Sequence, residues 1–391
     1  MRTYEISVPA KYPEFYSNAN FNPSLIKTTI GDNLYLMSCH SFRRFTDPKL
    51  KGPLNDVNDP NHPWYGGPSS QHWWKIEKNE GFHGTGFFLV QYDGNRFNII
   101  DYLGLIYMVV DARLFRLNSS QIFMTANAIT PFFEIGLDRN KYGLAGGYVN
   151  CAQDKCSLIT RYVLQIKVRE KKITLFSSEA RTLCNNLSRP TEKNWSAWEF
   201  NNMLNFSYSL TPQHYTLDVS DPTYVTGYWP IELTRSESGY TTLDTPIACD
   251  LNYSKSLNIF THIEMVHKGA VVFSLSTPAL PFTNDLYIGV GHVKIIGDHL
   301  NEAEDLPAVT FYHQNSSMIR HPAHNTFYLM YFYTFNPSTL DIVKVSYSFL
   351  PPNVEYGVVF PCGLTLFSSD TYLISYGEAD MKMKILAITR N

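Results

Sequence analysis

The stretch Asn22-Pro23-Ser24-Leu25-Ile26, followed by a Gly31-Asp32-Asn33 turn and then Leu34-Tyr35-Leu36-Met37, decides the fold of this chain. Two apolar runs joined by Gly, Asp and Asn are typical of a β-hairpin. The same order of a small or Pro-rich start, an apolar pair, a polar turn and an aromatic-led strand recurs four more times. The four further units are 111–115 with 122–124, 195–198 with 204–206, 276–280 with 286–288, and 361–365 with 372–374.

One aromatic residue in each second strand marks the period of this repeat. These residues are Tyr35, Phe123, Phe206, Tyr287 and Tyr372, separated by 88, 83, 81 and 85 residues. A hairpin that recurs at a nearly constant period indicates a repeat architecture. Common propeller blades span about 40–50 residues, so each unit here must carry extra strands or long loops. We therefore predict an all-β fold, a five-bladed β-propeller that occupies residues 1–391 as a single domain.

Composition narrows the class of protein. The 391 residues carry a net charge of −3 and have no basic stripe, so nucleic acid is not an expected partner. No run of 18 apolar residues and no signal-peptide pattern occurs, which predicts a cytoplasmic protein without a membrane span. The six cysteines are mostly scattered, so we expect reduced thiols, no metal site and no cofactor. Aromatic residues make up 15% of the chain, which suits both strand packing and stacking against sugar rings.

Polar residues stand at matching places in the five units. Before or within the first strands are Asn22, Ser24, Asp111, Arg113, Lys193, Asn194 and Thr277. After the second strands are His40, Arg43, Arg44, Asn127, Tyr208, His292, Lys294, Tyr376, Glu378 and Asp380. If the blades share one axis, these groups converge on one funnel, and strand ends on a rigid scaffold are where sites are usually built. Each residue taken alone also fits a turn cap or a satisfied strand position.

Several short motifs, in this order, resemble those of two related groups of five-bladed propeller enzymes. The motifs are Phe21-Asn22-Pro23-Ser24, Arg43-Arg44, Asp111-Ala112-Arg113-Leu114-Phe115, Glu192-Lys193-Asn194-Trp195, Ser276-Thr277-Pro278, the segment 289–294, and Ile374-Ser375-Tyr376-Gly377-Glu378-Ala379-Asp380. The groups are the mannoside phosphorylases and mannosidases of glycoside hydrolase family 130 and the β-1,2-mannosyltransferase/phosphorylases of glycosyltransferase family 108. The resemblance implies an inverting carbohydrate-active enzyme whose substrates include a mannoside, a sugar phosphate or a nucleotide sugar such as GDP-mannose, with phosphate as a further partner.

The resemblance also implies roles for individual residues. Asp111 matches the catalytic aspartate, the general acid or base of the family, although Val110 and Ala112 differ from the family's Glu/Tyr-Asp-Pro-Arg motif. Asn22 and Ser24 match contacts to the sugar, and Arg43 or Arg44 matches an arginine beside it. Lys193 and His292 are candidate phosphate contacts. The remaining substrate-binding candidates are Arg113, Asn194, Tyr208, Tyr376, Glu378 and Asp380, of which Asp380 matches the aspartate that binds sugar hydroxyls.

Three functions stay open at this point. A transferase or phosphorylase needs only one side-chain acid or base, because phosphate or a nucleotide diphosphate is already charged. A hydrolase needs a second carboxylate, about 6.5–9.5 Å from the first, to activate water, and Glu378 or Glu192 is a candidate for it. A non-catalytic sugar-binding or interaction propeller is the third, with Asp111 merely paired to Arg113.

Overall fold

Strands make up the regular structure of this protein. The computed structural model describes residues 1–12, 19–43, 82–107, 109–117, 121–128, 156–167, 172–177, 181–184, 194–219, 229–230, 247–256, 260, 271–283, 285–296, 326–355, 357–379 and 382–390. These residues form 23 β-strands. Within them, we find no helical segment of the length and apolar character needed to span a bilayer.

The strands fall into five consecutive units, which we call blades 1 to 5. Blade 1 contains β2 (Ala19–Lys27), β3 (Leu34–Arg43), β4 (Phe82–Tyr92) and β5 (Phe97–Tyr107). Blade 2 contains β6 (Val109–Leu117), β7 (Gln121–Ala128), β8 (Cys156–Lys167), β9 (Lys172–Ser177) and β10 (Arg181–Cys184). Blade 3 contains β11 (Ser196–Phe200), β12 (Met203–Ser209), β13 (Tyr215–Val219) and β15 (Ile247–Tyr253), whereas β14 (Trp229–Pro230) pairs with β9.

Blades 4 and 5 complete the set. Blade 4 contains β16 (Val271–Leu275), β17 (Leu280–Thr283), β18 (Leu286–Ile296), β19 (Thr326–Phe335) and β20 (Ile342–Val345). Blade 5 contains β21 (Val359–Leu366), β22 (Thr371–Glu378) and β23 (Lys382–Thr389), and its outer edge is β1 (Arg2–Ile6) from the start of the chain. The first strand of the chain thus closes the last blade.

The five predicted hairpins are confirmed, with the aromatic marker in the second strand of each. Two details differ from the simple pattern. The first strand of blade 4 is interrupted between β16 and β17, at residues 276–279. Blades 2 and 3 share one ten-stranded sheet, because β10 and β15 pair in parallel through Leu183 and Ile247.

Four apolar clusters join neighbouring blades and close the ring. Leu36 and Leu114 share the cluster between blades 1 and 2. Phe115 and Phe206 belong to the cluster between blades 2 and 3. A large cluster runs from Trp198 of blade 3 through blade 4 into blade 5, and a fourth joins blade 5 to blade 1. One sheet buries its two faces only against neighbours, so this closed packing order is that of a propeller.

A cavity of about 380 Å³ lies where the five first strands meet. Blades 1 to 5 all contribute to its wall, through residues 26–29, 115–116, 197–198, 278–280 and 364–366. The five-bladed β-propeller predicted from the repeat is therefore the fold of this chain. All five first strands share one axis, so their opposite ends also meet, and those ends carry the predicted site.

Candidate active site

Three residues at matching positions of blades 1, 2 and 3 share an unusual backbone conformation. Asn22, Asp111 and Asn194 have φ angles of 50°, 52° and 66°. Asn22 and Asp111 each lie in a bulge of the first strand, where the pairing register shifts between Phe21 and Ser24 and between Val110 and Arg113. Short polar residues tolerate this left-handed region better than others. A bulge turns a side chain away from the regular alternation of a strand and is common beside active sites.

Asp111 and Asn22 contact each other across the boundary between two blades. The side-chain amide of Asn22 donates a hydrogen bond of 3.3 Å to Oδ1 of Asp111. Asp111 is buried, with 7% of its surface exposed. A carboxylate that accepts an amide hydrogen bond at a strand start is held in one orientation, as a general acid or base requires.

His40 borders the same carboxylate oxygen. Its Nδ1 is 3.8 Å from Oδ1 of Asp111, and its ring packs 4.4 Å from the ring of Phe21. Burial lowers the pKa of His40 from 6.5 to about 3. The imidazole is therefore neutral at pH 7, and a polar but uncharged ring borders Asp111.

Arg113 joins the backbone of Asp111 to blades 3 and 4. Its Nη1 donates to the backbone carbonyl of Asp111 at 3.1 Å, and its Nη2 donates to Oδ1 of Asn194 at 3.0 Å. Its Nε donates to the backbone carbonyl of Ser276. The planar fork of a guanidinium suits three acceptors in fixed directions. Three blades are thus bound to one buried side chain around the axis.

Blades 4 and 5 complete this ring through His292 and Phe360. The ring nitrogen Nδ1 of His292 lies 2.6 Å from the hydroxyl of Ser276, whose carbonyl accepts from Arg113. Phe360 packs 4.7 Å from the His292 ring, and the Arg113 guanidinium lies 5.7 Å from the Phe360 ring centre. The arrangement brings together the predicted residues Asn22, Asp111, Arg113, Asn194 and His292 from four blades.

The structure places other predicted site residues away from this cluster or in structural contacts. The hydroxyl of Ser24 accepts a hydrogen bond of 2.8 Å from the backbone amide of Leu114, which ties blade 1 to blade 2. Tyr208 is buried in the cluster between blades 2 and 3 and packs 5.6 Å from the ring of Trp195. Their assignment to sugar binding stays a prediction.

Tyr376 and Glu378 lie together on one face of β22. Glu378 is fully buried, forms an ion pair with Lys384 and accepts a hydrogen bond from the backbone amide of Glu355. Burial, and then the charge of Glu378, raises the pKa of the Tyr376 hydroxyl. The opposite face of β22 points to blade 1, where Ser375 accepts from the amide of Leu25 at 3.0 Å.

Three predicted residues, Arg44, Lys193 and Asp380, lie outside the described residues, as does Glu192, and the side chain of Arg43 is not described. The backbone just before Asp380 does reach the cluster. Gly377 packs so closely on Asn22 that a Cβ at position 377 would come within 2.8 Å of the Asn22 backbone nitrogen. In the part of the chain that the structure describes, no group of three His, Cys, Asp or Glu side chains could hold a metal ion.

Two members of the cluster had no role in the sequence-based assignment. His40 was counted only among the polar residues after the second strands, and Ser276 only within a motif. The pairing of β2 with β3 could have identified His40. His40 pairs with Phe21, the last regular position before the bulge that carries Asn22. Nothing in the sequence singles out Ser276, since its carbonyl and hydroxyl matter only once Arg113 and His292 are in place.

Comparisons with solved structures find several carbohydrate-active enzymes at low similarity. No protein-family description matches the chain, and no curated protein matches it. A mannose phosphorylase from Leishmania mexicana in complex with phosphate ion is 10% identical with a TM-score of 0.44, covering 99% of this chain and 89% of that one. A GDP-Man-dependent mannosyltransferase from Leishmania mexicana gives the same identity and score, covering 100% and 90%. A GH43_1 enzyme from Xanthomonas citri complexed with xylose is 7% identical with a TM-score of 0.39, covering 95% and 87%. At these scores we base the function of this chain on its own residues.

Proposed function

We propose that this protein is a carbohydrate-active enzyme that catalyses inverting glycosyl transfer on mannose or a similar sugar, as a glycosyltransferase or a phosphorylase. Asp111 is its general acid or base. The observation that carries this proposal is the placement of Asp111 at the meeting point of the blades, fixed by Asn22 at 3.3 Å and bordered by His40 at 3.8 Å. The whole chain, residues 1–391, acts as one catalytic domain in this proposal.

The chemistry needs a single proton carrier. In the degradative direction Asp111 protonates the oxygen of the leaving group while phosphate attacks the anomeric carbon from the opposite face. The bond to the leaving group breaks as the bond to phosphate forms, and the configuration inverts. In the synthetic direction the ionised Asp111 accepts the proton of the acceptor hydroxyl. The neutral His40 borders this carboxylate without neutralising it.

A phosphate or diphosphate group carries negative charge, so its binding requires cations or hydrogen-bond donors near Asp111. Arg113 is buried at the cluster, and His292 lies beside it through Ser276. We assign His292, together with Lys193, to the phosphate or diphosphate group, and Asn22 and Asn194 to sugar hydroxyls. Positively charged side chains stabilise the charge that develops on phosphate oxygens.

The surroundings of Glu378 do not suit a general base that activates water. A hydrolase needs a second carboxylate that is free to activate water. Glu378 is instead fully buried against Lys384 and the backbone of Glu355. This arrangement supports a structural role for Glu378 and leaves Glu192 as the candidate for the second carboxylate that a hydrolase would need.

The test is a turnover panel with the purified protein and its Asp111→Asn variant. The panel contains GDP-mannose, mannose 1-phosphate and β-mannosides, each with and without phosphate. We expect turnover of GDP-mannose, or cleavage of a mannoside that depends on phosphate, and a loss of at least about 100-fold in the variant. Asp32→Asn, in an exposed turn, serves as the control and should keep full activity.

Other outcomes would identify the other two functions. Cleavage of β-mannosides in water alone would make the protein a hydrolase. Saturable sugar binding without turnover, unchanged in Asp111→Asn, would make it a sugar-binding propeller. Either result would overturn the proposal of inverting transfer.

A further inference from the structure

The cavity on the propeller axis lies at the end of the first strands opposite to Asp111, and the proposed reaction does not use it. Along β6, Asp111 lies near one end and Arg116 near the other. Five residues of extended chain separate them, which corresponds to roughly 15 Å at about 3.3 Å per residue. The volume of about 380 Å³ is at the low end of the range of small-molecule sites, which favours a small ligand.

The charged residues that line this cavity are Lys27 of blade 1 and Arg116 of blade 2. Both are cations, and no carboxylate is among the described residues that line the cavity. The whole chain has 32 basic and 35 acidic residues, so the sign of the charge here does not follow from the composition. A concave surface lined by charges of one sign attracts ligands of the opposite sign. The lining therefore favours an anion.

Arg116 is held in place at the wall of the cavity. Leu114 packs toward blade 1 and Phe115 toward blade 3, so the alternation along β6 turns Arg116 toward blade 1. There its Nη2 donates a hydrogen bond to the backbone carbonyl of Lys27. Because a guanidinium has five N–H donors, it can hold this carbonyl and an anionic ligand at the same time. Burial lowers the pKa of Arg116, and an anion beside it would offset this cost of burying the charge.

Hydrogen bonds fix the walls of the cavity before a ligand arrives. The backbone amide of Ala279 in blade 4 donates to the carbonyl of Ala197 in blade 3 at 2.8 Å. In blade 1, the amide and the hydroxyl of Thr28 both donate to the carbonyl of Leu34, at 2.8 and 3.0 Å. These bonds join two blades and hold the turn that follows Lys27. A site formed in advance lowers the entropic cost of binding.

The accessible part of the lining combines these cations with a hydroxyl and apolar groups. Thr29 is exposed beside Lys27 and carries a hydroxyl donor. Leu366 is 42% exposed, and Leu280 is half-buried. Small-molecule sites are mostly apolar, with a few polar groups that fix the orientation of the ligand. An inorganic anion would leave the leucines against water, whereas an anion with an apolar body contacts both kinds of surface.

We propose that this cavity is a second binding site and that it binds a small organic anion, with a carboxylate or phosphate group on an apolar body. Lys27 and Arg116 bind the anionic group, and Thr29 donates its hydroxyl to it. Leu280 and Leu366 contact the apolar body. The site is separate from the Asp111 cluster and does not depend on the reaction proposed there.

The experiment measures the binding of benzoate, phenyl phosphate and the uncharged benzyl alcohol by calorimetry and saturation-transfer NMR. We expect at least one of the two anions to bind, and to bind at least about tenfold more tightly than the alcohol. The two anions distinguish a carboxylate ligand from a phosphate ligand.

Two variants at accessible positions test the location of the site. Lys27→Gln removes a cation, and Leu366→Glu adds a carboxylate to the wall, so each should weaken the Kd of the anion about tenfold. The matched controls are Lys344→Gln, at an exposed lysine, and Val343→Glu, at a valine that is 48% exposed. Both control positions lie in blade 4 outside the cavity, and the Kd should be unchanged there.

Three results would overturn the proposal. The first is that neither anion binds, and the second is that benzyl alcohol binds as tightly as the anions. The third is that either cavity variant binds the anion as tightly as the wild type. A failure of the proposed reaction is distinguishable, because it would appear in the turnover panel, whereas Asp111→Asn should bind benzoate as the wild type does.

Discussion

Asn22 and Asp111 lie 89 positions apart in the chain, yet the amide of Asn22 donates a hydrogen bond of 3.3 Å to the Asp111 carboxylate. Both residues have a left-handed backbone, with φ angles of 50° and 52°. The matching bulges of blades 1 and 2 therefore turn two polar side chains toward each other. Strained backbone of this kind is concentrated at functional sites. The residue at position 111 must therefore tolerate a positive φ for the protein to be stable, whatever part its side chain has in the reaction.

The backbone at position 111 predicts different stabilities for two substitutions. Asp111→Asn should unfold within a few degrees of the wild type, because asparagine tolerates a positive φ. Asp111→Val should lose about 1–3 kcal/mol, because a β-branched residue is strained there. Urea denaturation of both variants measures the difference, with Asp32→Val in an exposed turn as the control. Equal midpoints for the two variants at position 111 would argue against the strain.

The close packing of Gly377 on Asn22 predicts a loss of activity in Gly377→Ala. The new Cβ would come within 2.8 Å of the Asn22 backbone nitrogen and closer still to its side-chain oxygen, so Asn22 must move. We expect a clear fall in kcat/KM, since Asn22 orients Asp111. Gly31→Ala is the matched control, because the Cβ there meets only the flexible side chain of Leu34. Full activity in Gly377→Ala would show that the position of Asn22 is not critical.

We predict that Arg113→Lys lowers the stability of the protein strongly, although the substitution conserves the charge. In Arg113→Lys the single ammonium group cannot replace a fork that reaches Asp111, Asn194 and Ser276. Each buried acceptor left unpaired costs about 1–3 kcal/mol, so we expect a loss of a few kcal/mol in urea denaturation. Arg96→Lys, whose side chain is 75% exposed, should change stability little. A similar small change at both positions would contradict the role of Arg113 as a link between blades.

The hairpin repeat was sufficient to predict the blades, because each blade depends on local hairpin signals. Tyr35, Phe123, Phe206, Tyr287 and Tyr372 all lie in second strands, as expected. The interruption of the first strand of blade 4 and the parallel pairing of β10 with β15 were not predictable. Both depend on contacts between distant parts of the chain that leave no periodic pattern.

The site was predictable only where the backbone itself sets the direction of a side chain. Asn22, Asp111 and Asn194 all have a positive φ near the start of a first strand, so their matching positions in the repeat could be identified from the sequence. In β22, polar residues occupy both faces, and the sequence does not reveal which face meets blade 1. Ser375 faces blade 1, whereas Glu378 lies against Lys384 on the opposite face.

His214 predicts that stability falls in mild acid. Its Nδ1 donates to the carbonyl of Leu340 and its Nε2 lies 2.8 Å from the hydroxyl of Ser207, which links blades 3 and 4. Burial lowers the pKa of His214 from 6.5 to about 4. Below pH 6.5 the unfolded chain therefore binds a proton at His214, whereas the folded chain does so only near pH 4. The contribution of His214 to stability is full above pH 6.5 and is lost as the pH drops toward 4. Urea midpoints at pH 7 and pH 5 should differ less in His214→Gln than in the wild type, and an identical difference would exclude His214 as a cause.

Substitutions in the buried ion pair of Glu378 and Lys384 distinguish a structural role of Glu378 from a role as the general base of a hydrolase. Both side chains are at most 5% exposed, so Glu378→Gln leaves a buried lysine without its partner and should cost about 3–5 kcal/mol. The double variant Glu378→Gln with Lys384→Met removes both charges and should recover much of that loss. Glu355→Gln, at an ion pair whose carboxylate side chain is 59% exposed, should change stability little. A general base that activates water would give the opposite pattern, with activity lost in Glu378→Gln, stability unchanged, and no recovery in the double variant. Urea denaturation and turnover measured on the same preparations therefore decide whether Glu378 is a structural residue or a general base.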